Sequence, residues 1–204
     1  MKKHVVYSSI KYLLNVDDLI ILNKSERYYE SDEVIIILGD DKNPKDTLLS
    51  GENIIAECKH KNVKYVLCKV AYYSYNPFFA FLIHLFKPIK RKSVLKGYGV
   101  YRTTLSYILE HNLTRGVRNR ANAYQLKNKK WYIPEEDRIK RYDQLYNSLK
   151  NGYDFKYPML VGLNRYMGFK DQILQGHHRI GICQELKIEE VSISFWAFPK
   201  SAIR

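Results

Sequence analysis

Gly176-His177-His178-Arg179 is the stretch of this chain whose residue types and order can do chemistry. A short strand-like stretch, Asp171–Gln175, leads into the glycine, and a helical pattern leaves it. A strand, a glycine turn and a helix place the first unpaired backbone N–H groups of that helix just past Gly176. With the positive end of the helix dipole, those donors favour an anion. Gly176 permits close backbone approach. Arg179 adds a planar guanidinium fork that matches phosphate oxygens, and His177 and His178 add two imidazoles. For a histidine pair the plainer alternative is one ring capping the helix and the other packing or facing solvent. The chemistry to expect is phosphate binding.

A second set of candidates lies upstream. Glu135, Glu136 and Asp137 follow Pro134, as the start of a helix prefers. Ile139, Tyr142, Leu145, Tyr146 and Leu149 then recur at helical spacing, and Asn151-Gly152 ends the run. Arg138 and Arg141, three apart, lie on neighbouring faces and would point toward one site. Arg115, Arg118 and Arg120 could clamp a phosphate chain, or simply form a solvated surface. Gly39-Asp40-Asp41 is an outside candidate for Mg²⁺, and Gly97 and Gly99 lack the third glycine of a dinucleotide loop.

These groups need elements to hold them. Val5–Tyr7, Leu19–Leu22, Val34–Leu38 and Val63–Val70 read as strands and Ile54–His60 as a helix, so residues 1–115 form an α/β region of unassigned role. Thr103–His111 reads as helical. Residues 116–204 form the unit that carries the corner. Its expected order is a strand at Trp131–Ile133, the Pro134 helix, a strand at Tyr157–Leu163, its hairpin partner at Asp171–Gln175, the helix after Gly176 and a strand at Val191–Trp196.

Composition narrows the partners. The chain has 204 residues, 46% hydrophobic, enough for a sizeable core. A formal charge of +13 favours polyanions, and equally fits a Lys-, Asn-, Tyr- and Ile-rich bacterial composition. Cys58, Cys68 and Cys183 form no metal spacing and suit a reducing cytoplasm; the N-terminus makes no convincing signal peptide. Val70–Phe86 is too short, and broken by Pro77, for a membrane span. Phe78–Lys92 could lie on an anionic bilayer, although burial against the second half is the favoured reading.

From about Gln125 to Phe198 the chain resembles the ParB/sulfiredoxin superfamily. Two stretches carry the likeness: Arg141–Val161, similar to the family's first helix and following strand, and Gln175–Ile193, similar to its phosphate-binding box. The resemblance implies an α+β fold with a small mixed sheet and flanking helices. His177 stands where sulfiredoxins place a catalytic cysteine, which argues against sulfinic acid reduction. His177 and His178 replace a Glu-Arg pair of the CTP-binding partition proteins. The nearest box is the Asp-Gly-His-His-Arg of free serine kinases, with Gln175 in place of the aspartate.

That likeness implies a nucleotide-dependent phosphotransferase or hydrolase, with ATP or another nucleotide and Mg²⁺ as cofactors. Gly176, His177, His178 and Arg179 would hold phosphates, Glu136, Asp137 and His178 would serve catalysis, and Arg138 and Arg141 would hold a small hydroxyl-bearing or anionic substrate. The alternatives are a ParB-like nucleic-acid-binding protein or nuclease, and a non-catalytic module of cell-envelope polysaccharide assembly.

Overall fold

The computed structural model describes residues 3–40, 45–75, 95–111, 113–114, 118, 120, 134–164 and 170–197. The fold is α+β, built on two five-stranded mixed sheets. Long β-branched runs make the central strands, since branched side chains pack well on a pleated surface. In the first sheet β5 (Tyr65–Tyr75) is central. It pairs antiparallel with β1 (Lys3–Tyr7) and β2 (Tyr12–Asn15), and parallel with β3 (Val34–Ile37), which pairs antiparallel with β4 (Thr47–Ser50). Helix α1 (Val16–Ile20) follows β2, and α2 (Glu52–His60) joins β4 to β5.

The apolar run at Leu19–Leu22 is therefore not a strand. Asn15 caps a helix by accepting from the Asp17 N–H at 2.9 Å, and Asp17 and Asp18 sit at its positive end. An apolar run this short carries no period of its own, so the cap decides.

The second sheet repeats the first. β10 (Glu190–Ala197) is central. It pairs antiparallel with β6 (Leu95–Lys96) and β7 (Tyr101–Thr104), and parallel with β8 (Met159–Leu163), which pairs antiparallel with β9 (Gln172–Gln175). Helix α3 (Leu105–Glu110) follows β7, and α5 (His177–Glu185) joins β9 to β10. Among the described residues one element has no counterpart in the first unit: α4 (Glu135–Lys150), inserted before β8. The division between units falls between β5 and β6 and not at residue 116, because β6, β7 and α3 belong to the second sheet. The first unit is a mixed sheet of the same plan, with its own helices α1 and α2.

The duplication extends to single residues. Gly51 and Gly176 cap α2 and α5 in left-handed conformation, at φ 90° and 112°. Asn62 and Lys187, each eleven residues later, are also left-handed, at φ 54° and 56°. The Val16 N–H reaches the Lys64 carbonyl, and the Leu105 N–H reaches the Glu189 carbonyl.

The two units clasp each other reciprocally. Asp46, just before β4, accepts from the Gly39 N–H of its own unit at 3.1 Å. It also accepts from the Gly99 N–H and the Tyr101 hydroxyl of the other unit, at 2.7 and 3.1 Å. Asp171, just before β9, mirrors it. It accepts from the Asn164 N–H of its own unit at 2.9 Å, and from the Ser9 N–H and Tyr12 hydroxyl of the first unit at 3.0 and 2.8 Å. Between the clasps Tyr12 meets Phe195 edge-on at 4.8 Å, and one apolar core runs through both units. Each such buried aromatic contributes about 2–3 kcal/mol.

The cap glycines are under close constraint. A Cβ on Gly51 would stand 2.6 Å from the Val34 Cα, whereas one on Gly176 would meet the Met159 Cγ at 2.8 Å. Backbone cannot yield and a methionine can. Gly51→Ala is expected to cost about 3 kcal/mol and Gly176→Ala about 1–2, each including the strain of a left-handed alanine. Urea unfolding of the two variants checks the order.

Candidate functional site

The corner forms as the residue types dictate. β9 ends at Gln175, Gly176 turns the chain, and α5 starts at His177 with no side chain capping its amino end. Gly176, at the start of α5, packs beside Met159, the first residue of β8. Arg179 stays at this corner: its Nη1 donates to the Tyr157 carbonyl, two residues before β8. One of five guanidinium donors is used in that bond.

His178 is strongly perturbed at this corner. Burial, the positive charge of Arg118 and the neighbouring His177 together push its pKa down to about 4. Its imidazole is therefore neutral at pH 7, a donor without charge. Arg118 belongs to the arginine run noted in the sequence, and Arg120 of that run pairs with Asp143 of α4 at 3.0 Å. The structure thus brings Gly176, His177, His178 and Arg179 together, with Arg118 close enough to act on His178.

Helix α4 packs on α5 through Tyr142, whose ring stands edge-on to His178 at 6.3 Å and 78°. Arg138 lies one turn before Tyr142 on the same stripe and is half-buried, with its Nε out of solvent and without a partner among the described residues. Glu135 lies 3.9 Å from the Arg138 guanidinium. Arg141 is exposed. Glu136 and Asp137 are exposed too, on flanks of α4 turned by more than a right angle from Tyr142. Tyr142 was legible in the sequence only as a core position. Its contact with His178 follows from the crossing of two helices.

The first unit supplies a comparison within the same molecule. Its corner has the same glycine conformation and a helix of the same length. Its residues are different: Glu52, Asn53 and Ile54 stand where the second corner has His177, His178 and Arg179. Lys24 pairs with Glu52 and lies over the Tyr28 ring at 4.9 Å. The adjoining cleft, about 580 Å³, is bordered by Glu30, Asp32 and Glu52. An anion is repelled there and attracted at the second corner.

Comparison with family models, curated proteins and solved structures finds no match. The functional reading therefore stands on the residues and their geometry. Among the described residues no helix is long and apolar enough to cross a membrane. The Phe78–Lys92 stretch, the expected strand at Trp131–Ile133, and Asp41 and Arg115 lie outside the described residues.

Proposed function

We propose that the chain binds a nucleotide by its phosphates at the amino end of α5, through Gly176, His177, His178 and Arg179. One observation carries this reading: two corners share a backbone, and only the second bears imidazoles and a guanidinium. The resemblance of the Gln175–Ile193 box to ParB/sulfiredoxin proteins, and of Gly176–Arg179 to free serine kinases, supports a phosphate ligand. Phosphotransfer to a small hydroxyl-bearing or anionic substrate is the activity that likeness adds. In it Arg138 and Arg141 would hold the acceptor and Mg²⁺ would offset phosphate charge; Glu136 and Asp137, turned away from the face of α4 that meets α5, take no step in it.

Calorimetric titration with ATP, ADP and CTP in the presence of Mg²⁺ tests the reading. One nucleotide is expected to bind per chain. Affinity is expected to rise as pH falls from 8 to 5, because a bound anion raises the His178 pKa and the complex takes up a proton. Binding of none of the three at millimolar concentration overturns it. Product formation from ATP with serine or simple sugars as acceptor tests the transferase part.

A further inference from the structure

We infer that an open slot beside β5, in the first unit, is a docking site for a tyrosine-containing peptide segment of a partner protein. The inference stands apart from the nucleotide reading, since the slot lies in the other unit. In both units the central strand reaches past its parallel neighbour. The β3–β5 ladder starts at Val34 and Cys68, so among the described residues Tyr65–Leu67 are paired on one side only, by β2. The β8–β10 ladder starts at Met159 and Ile193, so Glu190–Ser192 are likewise paired on one side only, by β7. Backbone groups of successive residues alternate sides along a strand. The Lys64 carbonyl turns to β2, where it accepts from the Val16 N–H, and the Ala71 carbonyl turns to β3, where it accepts from the Leu38 N–H. The Leu67 N–H therefore points to the open side, and it has no partner there among the described residues.

The second unit closes the same gap with its own chain. Ser192, like Leu67 the residue just before the ladder starts, donates its N–H to the Tyr153 hydroxyl at 3.2 Å. Its own hydroxyl donates to the Phe155 carbonyl at 3.0 Å. The Tyr153 and Phe155 rings lie 5.1 Å apart, and Tyr153 packs against the core. In the first unit Tyr28 stands as far before Gly51 as Tyr153 stands before Gly176. It lies under Lys24 and borders the acidic cleft instead. What remains beside β5 is an open cavity of about 290 Å³. Leu13, Ile54, Tyr65 and Leu67 give it an apolar lining. Lys11 and Lys69, which share Glu33 at 2.6 and 2.7 Å, border it with Asp32. Leu67 is 47% exposed, although β5 is the central strand of its sheet. Main-chain donors on an unpaired strand edge give a peptide affinity, and a pocket beside them selects its side chain. The internal copy specifies that side chain: a tyrosine whose ring fills the pocket and whose hydroxyl accepts the spare N–H.

The test uses the full-length protein and a fluorescein-labelled peptide, Asn-Gly-Tyr-Asp-Phe-Lys-Tyr, which is the chain's own stretch 151–157. Fluorescence anisotropy is expected to show one peptide bound per chain. Alanine in place of the first tyrosine of the peptide is expected to weaken binding about tenfold. Leu67→Arg in the protein is expected to weaken it by a similar factor, whereas Tyr98→Arg, at an exposed position of the second unit, leaves it unchanged. Leu13→Lys serves as a second slot variant should Leu67→Arg fail to fold. Unchanged peptide affinity in a folded slot variant overturns the inference, and so does absence of binding to the wild type at millimolar concentration. A wild-type dimer in solution that Leu67→Arg converts to monomer assigns the slot to a second copy of this chain and also overturns it.

Discussion

Asp171→Ala is expected to lose about 3–5 kcal/mol of stability, a large share of what a chain of this size holds. The carboxylate satisfies three donors, the Asn164 and Ser9 N–H groups and the Tyr12 hydroxyl. Each left unpaired costs about 1–3 kcal/mol. The loss falls short of their sum because the carboxylate is itself costly to bury: desolvation raises its pKa, with the hydrogen bonds from Asn164, Tyr12 and Ser9 opposing. The sign of the pH effect follows. A native pKa above the unfolded value means that Asp171's share of stability is largest below about pH 4 and declines as pH rises through the native pKa. Asp171→Asn removes that slope. Asp46→Ala, which orphans the Gly39 and Gly99 N–H groups and the Tyr101 hydroxyl, is expected to cost a similar amount. Urea unfolding of both alanine variants, each as one transition because the core is continuous, checks the reciprocity. A large loss in one variant and none in the other would show that the units are not held symmetrically.

Arg179→Ala is expected to weaken nucleotide binding about a hundredfold, the scale of a lost charge-assisted, bidentate contact to phosphate. Arg179→Lys keeps the charge and loses the fork, and is expected to recover only part of the affinity. Because Arg179 also bonds to the Tyr157 carbonyl, the variants need a stability control. The loss of one exposed bond is expected to shift the urea midpoint little. Ile54→Ala, at the equivalent position of the first corner, should leave affinity unchanged. Retained binding in a folded Arg179→Ala protein would move the anion away from α5.

Local residue chemistry made much of the second unit legible. Gly176 and the apolar spacing of Ile180, Cys183 and Leu186 announce a turn and a helix, and Asp171–Gln175 pairs with β8 as a hairpin partner should. The run Val34–Leu38 could only be a strand. These are short-range effects, and composition at adjacent positions expresses them. The duplication is also written in the chain, as Asp-x2-Leu-x-Gly-x3-Ile-x2-Cys starting at Asp46 and again at Asp171. It escapes notice because the shared letters are sparse and the α4 insertion shifts the register of the earlier strands.

What the sequence determined by itself was the kind of corner: a glycine that must be left-handed, an uncapped helix and a guanidinium three residues on. Tertiary structure alone decided its surroundings. Whether Glu136, Asp137 and Arg141 face α5 depends on how α4 rotates about its axis, which is set by where Tyr142 and Leu149 are buried. That Tyr12 and Asp171 meet across 159 positions depends on two sheets closing on one core. Periodicity reports which face of an element is apolar; what lies opposite is decided by long-range packing, which no local pattern encodes.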